Sequence, residues 1–229
     1  MRESTGLSYR LKLLALLLGA AATLALLNTG YSALNTISRL DAVEAERDQW
    51  QRPTEIIQAL AIKPGDTVAE IGCGSGYFSL KLSAAVGKGG RVYAEDIRRL
   101  PLVFLWFRTI LKNDPNIKVV HGGEGDPRLR AQAVNEALIA NTYHELTDPE
   151  AILAYVRQVL ISGGRLVVVD RAPNPTQRDE DPLAEHEISA EHVEDELRAA
   201  KFEITDREDD FIGKDPDNDS WWLIVARKP

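Results

Sequence analysis

The stretch Glu70-Ile71-Gly72-Cys73-Gly74-Ser75-Gly76-Tyr77 carries the residue types and spacing of a ligand-binding turn. Three glycines at alternate positions allow positive φ and remove the Cβ atoms that would hold a ligand off. The apolar run Thr67–Ile71 before them reads as a buried strand, and the amphipathic run Phe78–Val86 after them as a helix. Strand, glycine turn and helix bring backbone N–H groups and a helix N-terminus to one ligand. The spacing decides which ligand. A dinucleotide loop needs its last glycine, for close helix–strand packing, where this chain has Tyr77. That disfavours a nicotinamide oxidoreductase.

Arg91–Asp96 reads as a second strand that ends in two acids. Asp96 follows Gly72 at roughly the 20-residue spacing at which a strand-end carboxylate meets ribose hydroxyls. A carboxylate there accepts two hydrogen bonds from a vicinal diol; it would equally suit a helix or turn cap. Further on, Asn141-Thr142-Tyr143-His144-Glu145 follows the apolar run Ala137–Ala140. His144 can take a proton, Tyr143 can orient or stack on an acceptor, and Asn141 can hydrogen-bond cofactor or substrate. Cys73, inside the glycine loop, reads as a small turn residue, because no thiolate-stabilising cation is adjacent in sequence. His186 and His192 flank Glu185, Glu187 and Glu191, but the spacing matches no tight ligand motif, so a solvated acidic helix and no metal are expected.

These residues need a scaffold. Pro53–Leu60 reads as a helix with Pro at its start, and Lys63-Pro64-Gly65-Asp66 as a turn feeding the first strand. Ile117–Val120 and Ala137–Ala140 read as the third and fourth strands. Asp148 caps a helix to Leu160, which Ser162-Gly163-Gly164 ends. Arg165–Val169 is a β-branched fifth strand closing with Asp170, and Pro173–Pro182 a loop long enough to be a flap. Ser189 caps a helix through Ala200; Glu203–Asp206 and Trp221–Ala226 read as the last strands. Strands alternating with helices imply a mostly parallel α/β sheet that binds ligands outside the carboxyl ends of its strands. Gly72–Gly76, Glu95-Asp96, Asn141–Glu145 and Asp170 all fall at such ends.

The chain has 229 residues, enough for one domain plus an appendage. A net charge of −8 argues against broad nucleic-acid binding. One cysteine excludes an intrachain disulfide. The appendage is residues 1–40, and the domain 41–229. Arg2, Arg10 and Lys12 precede the apolar run Leu13–Leu27, and no charge follows until Arg39. About 20 apolar residues span a bilayer, so residues 13–33 are expected to tether the chain to a membrane through a single N-terminal helix. A signal peptide cut near Gly30 and Ser32, releasing a periplasmic domain, is the alternative. Positive charge before the span places the domain outside the cytoplasm. Arg98–Lys112 is basic and very apolar, and reads as a helix buried on two sides. The alternative is a helix lying on lipid with Arg98, Arg99, Arg108 and Lys112 toward headgroups.

From about Trp50 to Pro229 the chain resembles the class I S-adenosylmethionine-dependent methyltransferases, most of all bacterial members with hydrophobic N-termini. The resemblance rests on Gln51-Arg52-Pro53, Lys63–Asp66, Glu70–Phe78, Val92–Ile97, Asn141–Glu145, Gly163–Leu166 and Trp221–Pro229. It implies a Rossmann-like, seven-stranded, mostly parallel sheet with helices on both faces and the last strand antiparallel. It implies S-adenosyl-L-methionine as cofactor, a bacterial inner-membrane location, and methyl transfer to a small-molecule or lipid-like acceptor. Carried over, Glu70 starts the cofactor loop, Gly72, Gly74 and Gly76 border the methionine and ribose parts, Asp96 holds the ribose and Asp126 meets the adenine edge. The family usually has an acid opening the fourth strand, where this chain has Asn135-Glu136. A non-catalytic nucleotide- or nucleoside-binding module of the same fold, exported or tethered, is the alternative function.

Overall fold

A computed structural model describes residues 3–129, 134–173 and 186–229. The chain divides into two compact units, Met1–Glu46 and Arg47–Pro229. The first is filled by α1 (Glu3–Arg47). Its Leu11–Arg47 portion holds an 18-residue stretch with a mean hydropathy of 1.9, which makes it long and apolar enough to cross a membrane by length and composition.

The second unit runs α2 (Pro53–Leu60), β1 (Thr67–Ile71), α3 (Tyr77–Val86), β2 (Arg91–Asp96), α4 (Arg99–Leu111), β3 (Ile117–His121), β4 (Val134–Ala140), a 3-10 turn (Tyr143–Glu145), α5 (Pro149–Val159), β5 (Leu160–Arg171), α6 (Ala190–Ala199), β6 (Glu203–Ile212) and β7 (Trp221–Arg227). The strands form one sheet in the order β3-β2-β1-β4-β5-β7-β6. β7 is antiparallel to both neighbours, and all other pairs are parallel. This is the Rossmann-like, seven-stranded α/β sheet the resemblance implies.

Alternation along the central strands sorts the core into two layers. Val68, Leu138, Val167 and Val169 pack with α2, α3 and α4 residues such as Ile56, Leu82 and Leu105. Ala69, Ile139, Leu166 and Val168 face Leu153 and Val156 of α5 and Leu197 of α6. Strand order reverses between β1 and β4, and a crevice opens there at the carboxyl ends.

Local caps behave as their chemistry dictates. Asp148 Oδ1 accepts from Ala151 N at 3.0 Å with Pro149 at the first helical position, and Ser189 Oγ accepts from His192 N at 3.2 Å. β5, β6 and α4 each differ from the sequence reading. β5 begins at Leu160, because Gly163 N donates to Lys228 O at 2.8 Å and Lys228 N returns to Gly164 O at 2.9 Å. β6 continues to Ile212 although Asp206–Asp210 is mostly acidic; it is an edge strand, where exposed charge discourages further pairing. Helix α4 is buried on one side, not two: Leu102, Leu105 and Arg108 face inward, while Trp106 and Phe107 are exposed. The flap reading of residues 173–182 falls, beyond Pro173, outside the described residues.

Candidate active site

The crevice is lined by Gly72, Glu95, Asp96, Arg98, Gly123, Glu124, Thr142 and Glu145, together with Ile71, Ile97, Leu146, Thr147 and Ile152. Its first wall is the glycine loop. Gly72, Gly74 and Gly76 have φ of 73°, 54° and 92°, in the left-handed region that glycine tolerates. A Cβ on Gly72 would lie 2.2 Å from Thr142 Cγ2, and one on Gly76 would lie 2.3 Å from Leu105 Cδ1. A Cβ on Gly74 would meet nothing within 4 Å. The outer glycines therefore pack against protein, and the central one faces open space.

Two acids back the loop. Asp96 is buried, and its carboxylate accepts from Gly74 N at 2.8 Å, from Arg98 N at 2.7 Å and from Arg98 Nε at 3.2 Å. The Arg98 side chain is 56% exposed, so it can leave Asp96 to another donor. Glu95 is also buried, and room for it comes from Gly122, where a Cβ would lie 1.8 Å from Glu95 Oε1. Burial first, then the Asp96 charge, push the Glu95 carboxyl up to about 8; the Gly72 N–H pulls the other way, and Asp126 adds to the rise. Cys73 of the loop is buried, and its N–H donates to Glu95 O at 2.8 Å. Burial, then Glu70, Asp96 and Glu95, push its thiol well above the usual range.

The opposite wall is built by the ends of β4 and β5. Asn141 has φ of 54°, a conformation its short amide side chain tolerates, and its N–H donates to Val169 O at 2.8 Å. Its Oδ1 is buried with no hydrogen-bond partner among the described residues. His144 Nδ1 lies 2.7 Å from Asp170 Oδ1, and His144 N donates to Asp170 Oδ2 at 3.2 Å. The side chains are 3% and 0% exposed. A buried carboxylate on Nδ1 holds the proton there and leaves the lone pair on Nε2. Nε2 faces Glu145 Oε1 at 3.8 Å, and the His186 ring stands edge-on at 5.4 Å. Ligating atoms of His144, Glu145 and His186 lie within 4.8 Å of one another, so these three could hold a metal ion.

Other expected residues fall elsewhere. Glu70 accepts a hydrogen bond from Ser79 Oγ of α3, so its carboxylate braces the loop from behind. Asp126 forms a tight turn with Gly123, and its Oδ1 accepts from Arg128 N at 2.8 Å; Gly123 and Glu124 line the crevice instead. Tyr143 is buried, and its hydroxyl donates to Glu196 on α6 at 2.7 Å. That contact turns Tyr143 into the core and corrects its expected place beside an acceptor. Glu136 opens β4 opposite Val68, at the far end of the sheet. Burial and Asp66 push it up to about 8 there, away from the crevice. Arg108, which the lipid alternative set toward headgroups, is buried, and its Nη1 donates to Ser75 O at 2.7 Å. Alternation and spacing do not signal that contact, because it joins α4 to a loop 33 residues earlier.

A glycine loop at the switch point of a sheet ordered 3-2-1-4-5-7-6, with a strand-end acid behind it, defines the fold of class I methyltransferases. Residues 69–168 match the family model described as a methyltransferase domain. The fold and this match make the chain similar to the class I S-adenosylmethionine-dependent methyltransferases. A crystal structure of a SAM-dependent methyltransferase from Aquifex aeolicus is 25% identical, with a TM-score of 0.66 over 76% of this chain and 88% of that one. Among curated proteins, an uncharacterized 37.1 kDa protein in transposon TN4556 of Streptomyces fradiae is 29% identical over 58% of this chain. A demethylmenaquinone methyltransferase of Oceanobacillus iheyensis is 21% identical over 61% of this chain. The chain spans 38% and 58% of those two relatives' lengths.

The cofactor is S-adenosyl-L-methionine, and the crevice fits it. A Cβ on Gly74 would enter open space, so that side of the loop is free to receive a ligand. Two buried acids suit a cationic sulfonium.

Proposed function

We propose that this chain transfers a methyl group from S-adenosylmethionine to a small apolar acceptor, with the domain tethered to a membrane by residues 13–33. The observation that carries the acceptor side is the buried His144–Asp170 pair, 2.7 Å apart beside the cofactor crevice. When bound, the cofactor supplies a methyl group on a positively charged sulfur, a good leaving group. Asp96 and Asn141 hold it, and Asp96 supplies negative charge, joined by Glu95 once the pH passes about 8. Those acids favour the cationic ground state, so they serve binding; rate comes from aligning the nucleophile and excluding water. His144 Nε2 takes the proton that the acceptor loses as its new bond to carbon forms. Asp170 holds the ring in the tautomer that leaves Nε2 free. A metal ion on Nε2 would block that step.

The demethylmenaquinone methyltransferase supports an acceptor with an apolar tail, and the span in α1 supports a membrane source. The test uses full-length protein in detergent, methyl-labelled S-adenosylmethionine, and either a lipid extract or a water-soluble metabolite pool as acceptor. Label should enter the lipid fraction. His144→Ala should retain cofactor binding and lose transfer. Label confined to the soluble pool would overturn the apolar acceptor; unchanged transfer by His144→Ala would overturn the base.

A further inference from the structure

Helix α4 is unusual in this acidic protein. Leu100, Val103, Trp106, Phe107, Ile110 and Leu111 are each at least 42% exposed. At about 100° per residue they occupy an arc of roughly 140° opposite the buried Leu102, Leu105 and Arg108. A contiguous apolar patch of this kind marks a surface that something covers. The charges say what. The helix contains no acid. Arg98 and Arg99 stand at its N-terminus, Lys112 follows its C-terminus, and Lys118 lies on the adjoining edge strand β3, in a molecule of net charge −8. Arginines at the positive end of a helix dipole are locally unfavourable, so their placement answers to something outside the helix. Arg98 reaches Asp96; Arg99 is exposed.

We propose that the outer face of α4 seats on an anionic lipid surface, a membrane contact separate from α1. The apolar side chains enter the acyl boundary, and Arg99, Lys112 and Lys118 meet the headgroups. A second copy fits less well: two α4 helices packed antiparallel would set Arg99 of one against the Lys112 end of the other, and packed parallel would set like ends together. The inner face of the same helix supports the cofactor loop through Leu105 beneath Gly76 and Arg108 on Ser75. Lipid would thus contact the outer side of a 13-residue helix whose inner side braces the cofactor loop.

The test uses the full chain reconstituted into phosphatidylcholine vesicles, with or without phosphatidylglycerol, whose acyl chains are brominated to quench tryptophan on contact. The chain has four tryptophans, and Trp221 and Trp222 are buried. Emission should be quenched in the anionic vesicles and less so at high salt. Trp106→Phe, with unchanged circular dichroism, should lose that quenching, and the pair Arg99→Glu with Lys112→Glu should weaken it. Flotation of the vesicles reports α1 independently. A chain that floats while Trp106→Phe leaves quenching unchanged overturns the α4 contact and spares the tether. So does absence of quenching with Val103→Cys forming an intermolecular disulfide, which would assign the face to a second copy. A chain that neither floats nor is quenched overturns both.

Discussion

The β1–β2 half of the crevice and the β4–β5 half differ in where their polar atoms find partners. In the first, Asp96, Gly74 and Arg98 satisfy one another within a span of about 25 residues, so the cofactor wall is complete on local contacts. In the second, His144 depends on Asp170 from the next strand, Tyr143 depends on Glu196 from α6, and Asn141 Oδ1 has no partner among the described residues. One half is a motif and the other an assembly. Cofactor recognition should therefore survive changes that disable the acceptor side, and not the reverse.

The largest expected effect tests the first half. Gly74→Val meets no protein atom, so its cost to the fold is backbone strain of about 1–3 kcal/mol. Its side chain fills the cofactor cradle, and titration calorimetry should find no S-adenosylmethionine binding in a protein that still melts cooperatively. Retained affinity would break the assignment of that wall. Next comes Asp170→Asn, which no longer demands a proton on Nδ1. Turnover should fall roughly 100- to 10,000-fold, with cofactor affinity within twofold of the parent by the same calorimetry. Loss of both together would show that the halves are not separable.

Arg108→Met should cost about 1–3 kcal/mol by chemical denaturation, through the lost charged hydrogen bond to Ser75 O. It should weaken cofactor binding as the loop loosens, and leave the His144 side untouched. The smallest effect is a pH dependence. Glu95 titrates near 8, so it is neutral below that pH and ionised above. Affinity for a cationic cofactor should rise with pH through this window, by up to about tenfold per unit below it, and Glu95→Gln should flatten the curve. Stability runs the other way. Between about 4.5 and 8 the folded chain keeps protons on Glu95 and Glu136 that the unfolded chain has released, so melting temperature should fall as pH rises. Glu136→Gln should lessen that fall without changing the binding curve, because it lies at the other end of the sheet.

What the sequence made legible follows the same division. β1, the glycine loop and β2 are set by contiguous apolar runs and by glycines whose φ only they adopt easily, and all were readable in place. Asp148 and Ser189 were readable as caps because a cap acts within three residues. β6 was not readable to its end, because an edge strand in water carries the composition of a loop. The place of Tyr143 and the partner of Arg108 were not readable for a shared reason: each side chain's direction is chosen by a group far along the chain, Glu196 and Ser75. Asp170 was visible as a polar strand end, but only the register of β4 with β5 brings it to His144.

Cys73 has a consequence of its own. An activated methyl donor is an alkylating agent, and the softest nucleophile in the protein sits in the turn that receives it. Burial and three surrounding carboxylates keep that sulfur protonated, and the protonated form does not attack carbon. Burial first, and then the nearby acids, thus quiet a thiol that such a reagent could irreversibly modify, and the loop is spared damage by its own reagent.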